Sequence, residues 1–288
     1  MLSNKVVLVT GGGHGIGEAV AIELGKYGAT VVVNDLGTSP EGVGKSTEPA
    51  ETTVAQIIDN GGRATPHFGD VSDLGYTSQL VSDIVNEHGR LDGVVNFAGI
   101  VRNAPITEIS QKQWDDVIRV HLGGHFALLQ AASNHWEQVE FEKERSFIAV
   151  SSGAAHGGHH QLNYATAKAG ILGFVRSASD ELRGSGIRVN ALLPGAKSRQ
   201  NSHFPSGETE TTPPEPKHVA PTVGFLFSDA AAGVNGLSIR AAGELIGLVS
   251  DPQATRVAYR EGGWTIDSVA DRFKTTFAEH ESLDRSRY

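Results

Sequence analysis

The sequence predicts an α/β fold in which helices cover both faces of a parallel seven-stranded sheet. Two observations indicate this fold. Short apolar runs, typical of buried parallel strands, alternate with segments whose apolar residues recur at helical spacing. Glycine-rich turns join the two kinds of segment, and the 288-residue chain contains 35 glycines. Alternation with short connections is typical of a doubly wound sheet.

The first half of the chain predicts four strands and three helices. Strands are expected at residues 5–9, 30–33, 63–68 and 91–96, and helices at residues 18–27, 49–60 and 74–88. Asp73 stands where a side chain can cap the third helix, and Gly89 stands where that helix can end. Residues 36–45 are polar and rich in glycine, so we expect an irregular loop there.

The second half predicts three more strands and three more helices. Strands are expected at residues 147–150, 187–193 and 237–240, and helices at residues 111–136, 163–182 and 219–228. Gly123 and Gly124 interrupt the first of these helices. Because glycine lowers helix stability by about 1 kcal/mol relative to alanine, we expect close packing or an approaching ligand at this pair.

Two segments near the C-terminus fall outside the regular alternation. Residues 197–217 are polar and contain four prolines. They leave the carboxyl end of a strand, where α/β sheets bind ligands, so we expect a substrate lid. Residues 263–279 carry an amphipathic apolar stripe, with Thr265 as the predicted N-cap, and this helix is expected to cover the body or a partner subunit.

Composition argues against several classes of function. A net charge of −9 argues against a surface for nucleic acid or for an anionic membrane. The absence of cysteine excludes disulfides, a thiolate nucleophile and a cysteine-based zinc site. No apolar run approaches the ~20 residues of a membrane helix, and no signal-peptide pattern is present. We therefore expect a cytoplasmic protein.

A glycine cluster lies between the first predicted strand and the first predicted helix. It reads Thr10-Gly11-Gly12-Gly13-His14-Gly15-Ile16-Gly17. Glycines let the backbone approach a pyrophosphate, and the start of a helix offers N–H groups to an anion. Asp35 ends the second strand, roughly 20 residues further on, where a carboxylate can bind an adenosine ribose. The alternatives are a plain flexible turn and a solvated aspartate, but the two features in this order favour a Rossmann-type dinucleotide site.

A second group of residues indicates acid–base chemistry. Tyr164 and Lys168 share one face of a predicted helix because they are four residues apart. A nearby ammonium lowers the pKa of a phenol, which then exchanges protons with an alcohol oxygen. Ser151 and Ser152 end the preceding strand, and one of them can hold the same oxygen. The alternative is an ordinary exposed pair on a helix surface.

Four motifs in register resemble the short-chain dehydrogenase/reductase family. The family pattern T-G-x-x-x-G-x-G is matched by Thr10, Gly11, Gly15 and Gly17, its N-N-A-G by Asn96-Phe97-Ala98-Gly99, its Y-x-x-x-K by Tyr164 and Lys168, and its P-G by Pro194-Gly195. More narrowly, several stretches are similar to the (3R)-hydroxyacyl-CoA dehydrogenase part of peroxisomal multifunctional enzymes. They are residues 31–37, 42–45, 119–122, 161–164 and 198–199, and the helix after 263–265.

The resemblance implies hydride transfer between NAD and a secondary alcohol or ketone. Tyr164 is then the acid–base, and Lys168 lowers its pKa and holds the nicotinamide ribose. Asp35 implies NAD rather than NADP because a carboxylate repels a 2′-phosphate. Implied cofactor-binding residues are Gly11, Gly13, Gly15, Ile16, Gly17, Asp35, Asp70, Val71, Asn96, Ala98, Gly99, Tyr164, Lys168, Pro194, Gly195 and Ser198. Residues 1–245 are expected to form the NAD-binding and catalytic domain, and residues 246–288 a C-terminal extension.

Two catalytic positions depart from the usual pattern of the family. His121 stands where many family members have an asparagine that supports a water-linked proton relay, and histidine ordinarily titrates near neutrality. The spacing to Tyr164 points to Ser151 as the substrate-orienting serine, whereas the strand pattern points to Ser152. Adjacent strand residues face opposite ways, so only one can serve, and we expect Ser152.

Substrate and assembly are less constrained. A 3-hydroxyacyl thioester is one expected substrate; a cyclic or steroid-like secondary alcohol, and a catalytically silent NAD-binding sensor, are the alternatives. His156, His159 and His160 lie in a glycine-rich loop without an acidic partner at ligand spacing, so we expect a substrate loop and no metal. The resemblance also implies a homodimer or homotetramer formed through residues 111–136 and 163–182.

Overall fold

The structure is a computed structural model that describes residues 2–139, 144–196, 214–254 and 257–273. The strands are β1 (Val6–Thr10), β2 (Thr30–Asn34), β3 (Arg63–His67), β4 (Gly93–Asn96), β5 (Arg145–Val150), β6 (Ile187–Pro194), β7 (Ser238–Ala242) and β8 (Leu245–Val249). The helices are α1 (Gly15–Lys26), α2 (Glu48–Asp59), α3 (Leu74–His88), α4 (Gln111–Ile118), α5 (Gly124–Trp136), α6 (Leu162–Glu181), α7 (Ala220–Phe227) and α8 (Ile266–Arg272).

The described strands form one sheet in the order β3-β2-β1-β4-β5-β6-β7-β8. The first seven pair in parallel, which confirms the predicted fold class, and β8 adds an antiparallel edge that the sequence analysis missed. β7 and β8 are joined by Gly243 and Glu244, with Gly243 at φ +57°. A two-residue connection that begins with a left-handed glycine is a hairpin signal, so this strand was predictable.

Two apolar cores lie on opposite faces of the sheet. Val7, Val9, Val31 and Val33 belong to one core, which α1, α2 and α7 cover. The intervening strand residues belong to the other core, which α3, α5 and α6 cover. They include Leu8, Val6, Val32, Val94, Phe147 and Ala149. Alternation along each strand thus produces the doubly wound arrangement.

The long helix predicted over residues 111–136 is divided in the structure. α4 and α5 are separated by a five-residue π-helical turn, Arg119–Gly123, which is called the π turn below. A Cβ on Gly124 would lie 3.0 Å from Cγ2 of Val71, so the predicted close packing occurs at this glycine. A Cβ on Gly123 would meet nothing within 4 Å. π-Helical turns are frequent at functional sites, and this one carries His121.

Helix boundaries agree with the predicted caps. The Asp73 carboxylate accepts hydrogen bonds from the N–H groups of Gly75 and Tyr76 at the start of α3, and Gly89 ends that helix at φ +75°. Thr265 caps α8 through a reciprocal bond pattern with Ser268. The predicted continuation of this helix to residue 279 lies outside the described residues.

The chain divides into two compact units, residues 1–249 and 250–288. The predicted division after residue 245 falls within β8, which belongs to the first unit. Residues 197–213, which make up most of the predicted lid, lie outside the described residues; Pro216–Val219 form a 3₁₀ turn before α7. No helix in the described ranges is long and apolar enough to cross a membrane.

Candidate active site

The glycine turn between β1 and α1 has the geometry of a phosphate cradle. Gly11 and Gly15 adopt left-handed backbone conformations, at φ +64° and +58°. A Cβ on Gly11 would lie 2.6 Å from the Ala98 nitrogen, and a Cβ on Gly17 would lie 2.2 Å from the Gly11 oxygen. A Cβ on Gly15 would meet nothing within 4 Å. Gly11 and Gly17 therefore serve backbone packing, whereas Gly15 faces open space at the start of a helix, where an anion fits.

Asp35 lies beside this turn at the end of β2. One carboxylate oxygen accepts the N–H of Gly13 at 2.8 Å, and the other accepts the N–H of Gly37 at 2.7 Å. The neighbouring Gly12 N–H donates to the Asn34 carbonyl at 3.1 Å. Because each carboxylate oxygen has a second lone pair, the fixed carboxylate can also accept ribose hydroxyls. The arrangement fits the adenosine end of a dinucleotide.

Asp70 and Val71 are placed differently from each other. Asp70 accepts hydrogen bonds from the N–H and hydroxyl of Ser72, at 2.9 and 2.6 Å, and pairs with Arg119 at 2.9 Å. Burial opposes ionisation of Asp70, but the bonds from Ser72 and Arg119 outweigh it and lower its pKa. The Val71 side chain is buried in the core beneath α3 and α5. Ser72 and Arg119 thus fix the Asp70 carboxylate, and the predicted cofactor contacts of Asp70 and Val71 remain predictions.

The last residue of β4 and the turn that follows it connect neighbouring elements. The Asn96 side-chain oxygen accepts the Thr10 hydroxyl at 2.6 Å and the Ala98 N–H at 3.1 Å, and Asn96 is fully buried. A Cβ on Gly99 would lie 2.2 Å from Cε1 of His121. Asn96 thus joins β1 to the turn after β4, and Gly99 leaves room for the imidazole. Their predicted cofactor contacts remain predictions.

The remaining predicted cofactor residues lie at the ends of α1 and β6. Ile16 is partly buried and packs against the core beneath α1 and α7. Pro194 ends β6, and the Gly195 N–H donates to the Ala241 carbonyl at 2.8 Å. A Cβ on Gly195 would lie 2.6 Å from Cβ of Ala242, which explains the glycine. Ser198 lies outside the described residues.

The two candidate serines point in different directions. Ser152 lies on the side of Tyr164 and acts to lower its pKa. The Ser151 hydroxyl is buried and donates to the backbone carbonyl of Lys168 at 2.7 Å. The geometry therefore brings Ser152, and not Ser151, to the tyrosine, as expected for adjacent strand residues.

The protonation of Tyr164 and Lys168 is governed by burial. Burial raises the pKa of Tyr164, although Ser152 acts in the opposite direction. The Lys168 Nζ donates to the Val150 carbonyl at 2.7 Å and lies 5.5 Å from the centre of the Tyr164 ring. Burial lowers the pKa of Lys168 to about 7. Burial outweighs the other contributions to the Tyr164 pKa here, and the prediction that Lys168 lowers this pKa stays a prediction.

His121 contacts the same cluster from the π turn. Its Nε2 lies 2.8 Å from the Ile100 carbonyl oxygen, and its ring meets Tyr164 edge-on, with ring centres 5.2 Å apart. Burial, together with the charge of Lys168, lowers the pKa of His121 well below its ordinary value. His121 is therefore a neutral group at physiological pH, where an ordinary histidine titrates.

Two residues at the site were not singled out in the sequence. Asn163 is buried, and its amide donates to the carbonyls of Arg102 and Gln113, at 3.0 and 3.1 Å. It thereby ties the start of α6 to the segment after β4. His125 is fully buried four residues after His121, a spacing that places both on one helix face and could have identified it.

The histidine loop lies between β5 and α6. The rings of His159 and His160 have centres 3.7 Å apart, and both residues are exposed, as is His156. The His160 carbonyl accepts the Ala104 N–H at 3.1 Å. No three metal-ligating side chains converge within the described part of the chain.

The glycine turn before α1 and the side chains of Tyr164 and Lys168 lie at the carboxyl edge of one parallel sheet. This placement is typical of a dinucleotide-dependent oxidoreductase. The short chain dehydrogenase family model matches residues 5–203, and the chain belongs to this family. The resemblance seen in the sequence is thus confirmed, including the narrower similarity to multifunctional and hydroxyacyl-CoA enzymes.

Three similar proteins show the extent of the likeness. Mouse peroxisomal multifunctional enzyme type 2 is 37% identical over 240 residues, which are 81% of this chain and 31% of that protein. The hydroxyacyl-CoA dehydrogenase ChsB1 of Mycobacterium tuberculosis is 34% identical over 289 residues, covering 96% of this chain and 90% of that one. The crystal structure of a short chain dehydrogenase from Mycobacterium avium superposes with a TM-score of 0.85, at 32% identity, covering 96% of this chain and 95% of that one. The chain therefore spans about 31% of the mouse protein's length.

Proposed function

We propose that this protein is an NAD-dependent dehydrogenase that interconverts a secondary alcohol and a ketone, with a 3-hydroxyacyl thioester as substrate. The observation that carries the proposal is the placement of Ser152 beside Tyr164, whose ring centre lies 5.5 Å from the Nζ of the buried Lys168. The pair lies at the carboxyl edge of the sheet, as does the glycine turn after β1. Ligands of α/β sheets bind at this edge.

In the proposed reaction, side chains of the protein transfer the proton and a bound dinucleotide is the partner for the hydride. Ser152 and Tyr164 both hydrogen-bond the carbinol oxygen, and the proton of that oxygen passes to the Tyr164 oxygen during oxidation. A bound nicotinamide dinucleotide supplies the hydride chemistry. Tyr164 must be a phenolate before its oxygen accepts this proton, and burial alone disfavours that negative charge. The Lys168 ammonium stabilises the phenolate.

The geometry near Asp35 supports NAD over NADP. The carboxylate is fixed by the N–H groups of Gly13 and Gly37, so it cannot readily turn away from a ribose hydroxyl. A 2′-phosphate at the same place would meet a negative charge. Gly15 faces the open space in which a pyrophosphate fits against α1.

The relatives support a thioester substrate. The mycobacterial relative is named a hydroxyacyl-CoA dehydrogenase, and its similarity extends over 96% of this chain. The mouse relative carries the name of a peroxisomal multifunctional enzyme. A similarity over nearly the whole chain supports a shared substrate class more strongly than a similarity limited to the cofactor-binding half would.

The experiment is a substrate panel with the purified protein. NAD⁺ and NADP⁺ are each combined with (3R)- and (3S)-hydroxyacyl-CoA thioesters of several chain lengths, and with cyclic and steroid-like secondary alcohols. Reduction of the dinucleotide is followed at 340 nm. Thioester oxidation with NAD⁺ supports the proposal. Turnover of cyclic alcohols alone would replace the substrate class, and dinucleotide binding without any turnover would indicate a silent sensor.

A further inference from the structure

The edge of β5 that faces β4 contains a backbone gap at Val150. The pairing of β4 with β5 ends where Asn96 meets Ala149, so Val150 has no strand partner on this edge. The next residue, Ser151, donates its N–H to Leu192 on the opposite edge at 2.7 Å. In a strand, the N–H and C=O of one residue point to the same edge. Both polar groups of Val150 therefore face the gap and need partners from elsewhere.

Two side chains fill this gap. Nε2 of His125 accepts the Val150 N–H at 3.0 Å, and the Lys168 Nζ donates to the Val150 carbonyl at 2.7 Å. His125 comes from α5 and Lys168 from α6, and both are buried. One residue of backbone thus lies between an imidazole and the lysine ammonium that the proposed function needs.

Hydrogen bonding assigns the protonation of His125. Its Nδ1 lies 2.6 Å from the His121 carbonyl oxygen, so a proton on Nδ1 and a free lone pair on Nε2 satisfy both contacts. The opposite tautomer would gain a bond from Asn96 at 3.1 Å and lose these two. Burial, helped by the charge of Lys168, lowers the pKa of His125 to about 3, so the neutral ring persists at physiological pH.

Within the described ranges, Lys168 is the charged group that acts on the pKa of the His125 ring. The groups that face it from the packed elements are Phe147 on β5, Asn96 on β4, His121 on the π turn and Lys168 on α6. His121 is itself neutral because burial lowers its pKa. Lys168 thus remains as the cation among these groups, and its charge disfavours a second cation on the ring.

We propose that His125 is a positioning residue for the catalytic lysine. It holds Val150 in place through the backbone N–H, and the Val150 carbonyl in turn fixes the Lys168 ammonium beside Tyr164. Without an acceptor at Nε2, the Val150 N–H would be buried and unpaired, and the backbone would shift to reach another partner. The inference rests on the proposed function, because it assigns His125 a role through Lys168.

The test compares three variants of the full chain. His125→Phe keeps a ring but removes the acceptor, His125→Gln restores an acceptor near the position of Nε2, and Leu128→Ala destabilises the same helix from its buried face without touching Val150. We expect His125→Phe to lower kcat about tenfold, a loss in the range of one unpaired buried donor, with dinucleotide affinity and KM little changed. His125→Gln should recover most of this loss.

The pH dependence of kcat distinguishes a positioning role of His125 from a role in stability alone. When the Val150 carbonyl moves, the Lys168 ammonium stabilises the phenolate less, so the rise of kcat for alcohol oxidation should shift upward by about one pH unit in His125→Phe. Leu128→Ala should lower the melting temperature and leave the profile of the folded enzyme unchanged. A wild-type profile in His125→Phe, or the same change in Leu128→Ala, would overturn the proposal.

A measurement on the unmodified protein decides the case if His125→Phe does not fold. Nitrogen NMR of ¹⁵N-histidine-labelled protein should show one ring as the neutral Nδ1–H tautomer from pH 5 to 9, with its signal assigned by loss in His125→Gln. A ring that titrates in this range, or carries its proton on Nε2, overturns the proposal. This result does not depend on turnover. Wild-type activity in Tyr164→Phe would instead refute the proposed function and leave the tautomer result intact.

Discussion

The turn after β1 and the cluster between α5 and α6 lie along one edge of the sheet but use different chemistry. The turn offers backbone N–H groups, glycines without side chains and the carboxylate of Asp35. The cluster consists of ionisable side chains removed from water, among them Lys168, His121 and His125. The first region can bind an anionic ligand with the fixed dipoles of the backbone, whereas the second controls where a proton resides.

The pKa shifts in the cluster all favour uncharged groups. Burial raises the pKa of Tyr164 and lowers the pKa of Lys168, His121 and His125. Among these four groups, Lys168, with a pKa of about 7, is the one that is partly charged at neutral pH. Binding and proton transfer should be separable by mutation, because they depend on different groups.

The largest effect that tests this separation is expected from Tyr164→Phe. The change removes the hydroxyl that exchanges the proton and leaves the ring, so kcat should fall by about 10²–10⁴-fold, the usual range for a general acid–base. Affinity for NADH should change little because the glycine turn is untouched. Initial rates at 340 nm and a fluorescence titration with NADH measure the two quantities. A parallel loss of both would show that the two regions are not separable.

Lys168→Met should produce the next largest effect, on stability and with a defined pH dependence. The pKa of Lys168 is about 7 in the folded protein and about 10.4 in an unfolded chain, so the unfolded chain binds more protons between these values. The lysine contribution to stability therefore rises with pH from about 7 to 10, and its cost is largest below pH 7. At pH 6 the variant should be more stable than the wild type by a few kcal/mol, less the lost bond to Val150.

This stability difference should shrink as the pH rises toward 10. Urea unfolding at pH 6, 7.5 and 9 measures it, and Lys45→Met, at an exposed lysine, is the matched control. A difference that stays constant with pH would mean that Lys168 is not held in a water-poor environment, and the contrast between the two regions would lose its basis.

The same contrast decides what the sequence could reveal. The glycine turn and Asp35 are short-range patterns, so their positions follow from spacing, and strand and helix periods yielded the doubly wound sheet. The sequence did not predict the π turn, because the apolar pattern of the flanking helices masks a one-residue change in the helical period. The direction of the Tyr164 pKa shift and the role of Val150 depend on which groups are buried together, which spacing along the chain does not specify.

Asp35→Ala tests the coenzyme region and should have the smallest effect of the three. Loss of hydrogen bonds from ribose hydroxyls to a carboxylate should weaken NAD binding by about 10–100-fold, while NADP, which gains from removal of the negative charge, should change much less. Kd values for both dinucleotides, from fluorescence titrations of NADH and NADPH, give the ratio. The variant should keep the wild-type pH profile, since Tyr164 and Lys168 are untouched.

Asp35→Asn separates charge from hydrogen bonding in this prediction. Asparagine keeps one acceptor oxygen for the Gly13 N–H, so the turn stays fixed while the repulsion of a 2′-phosphate disappears. Alanine also releases the N–H groups of Gly13 and Gly37, which weakens phosphate contacts shared by both dinucleotides. The ratio of the two affinities, rather than either one, therefore reports the ribose contact. An unchanged ratio in both variants would refute the assignment of Asp35 as the residue that selects NAD.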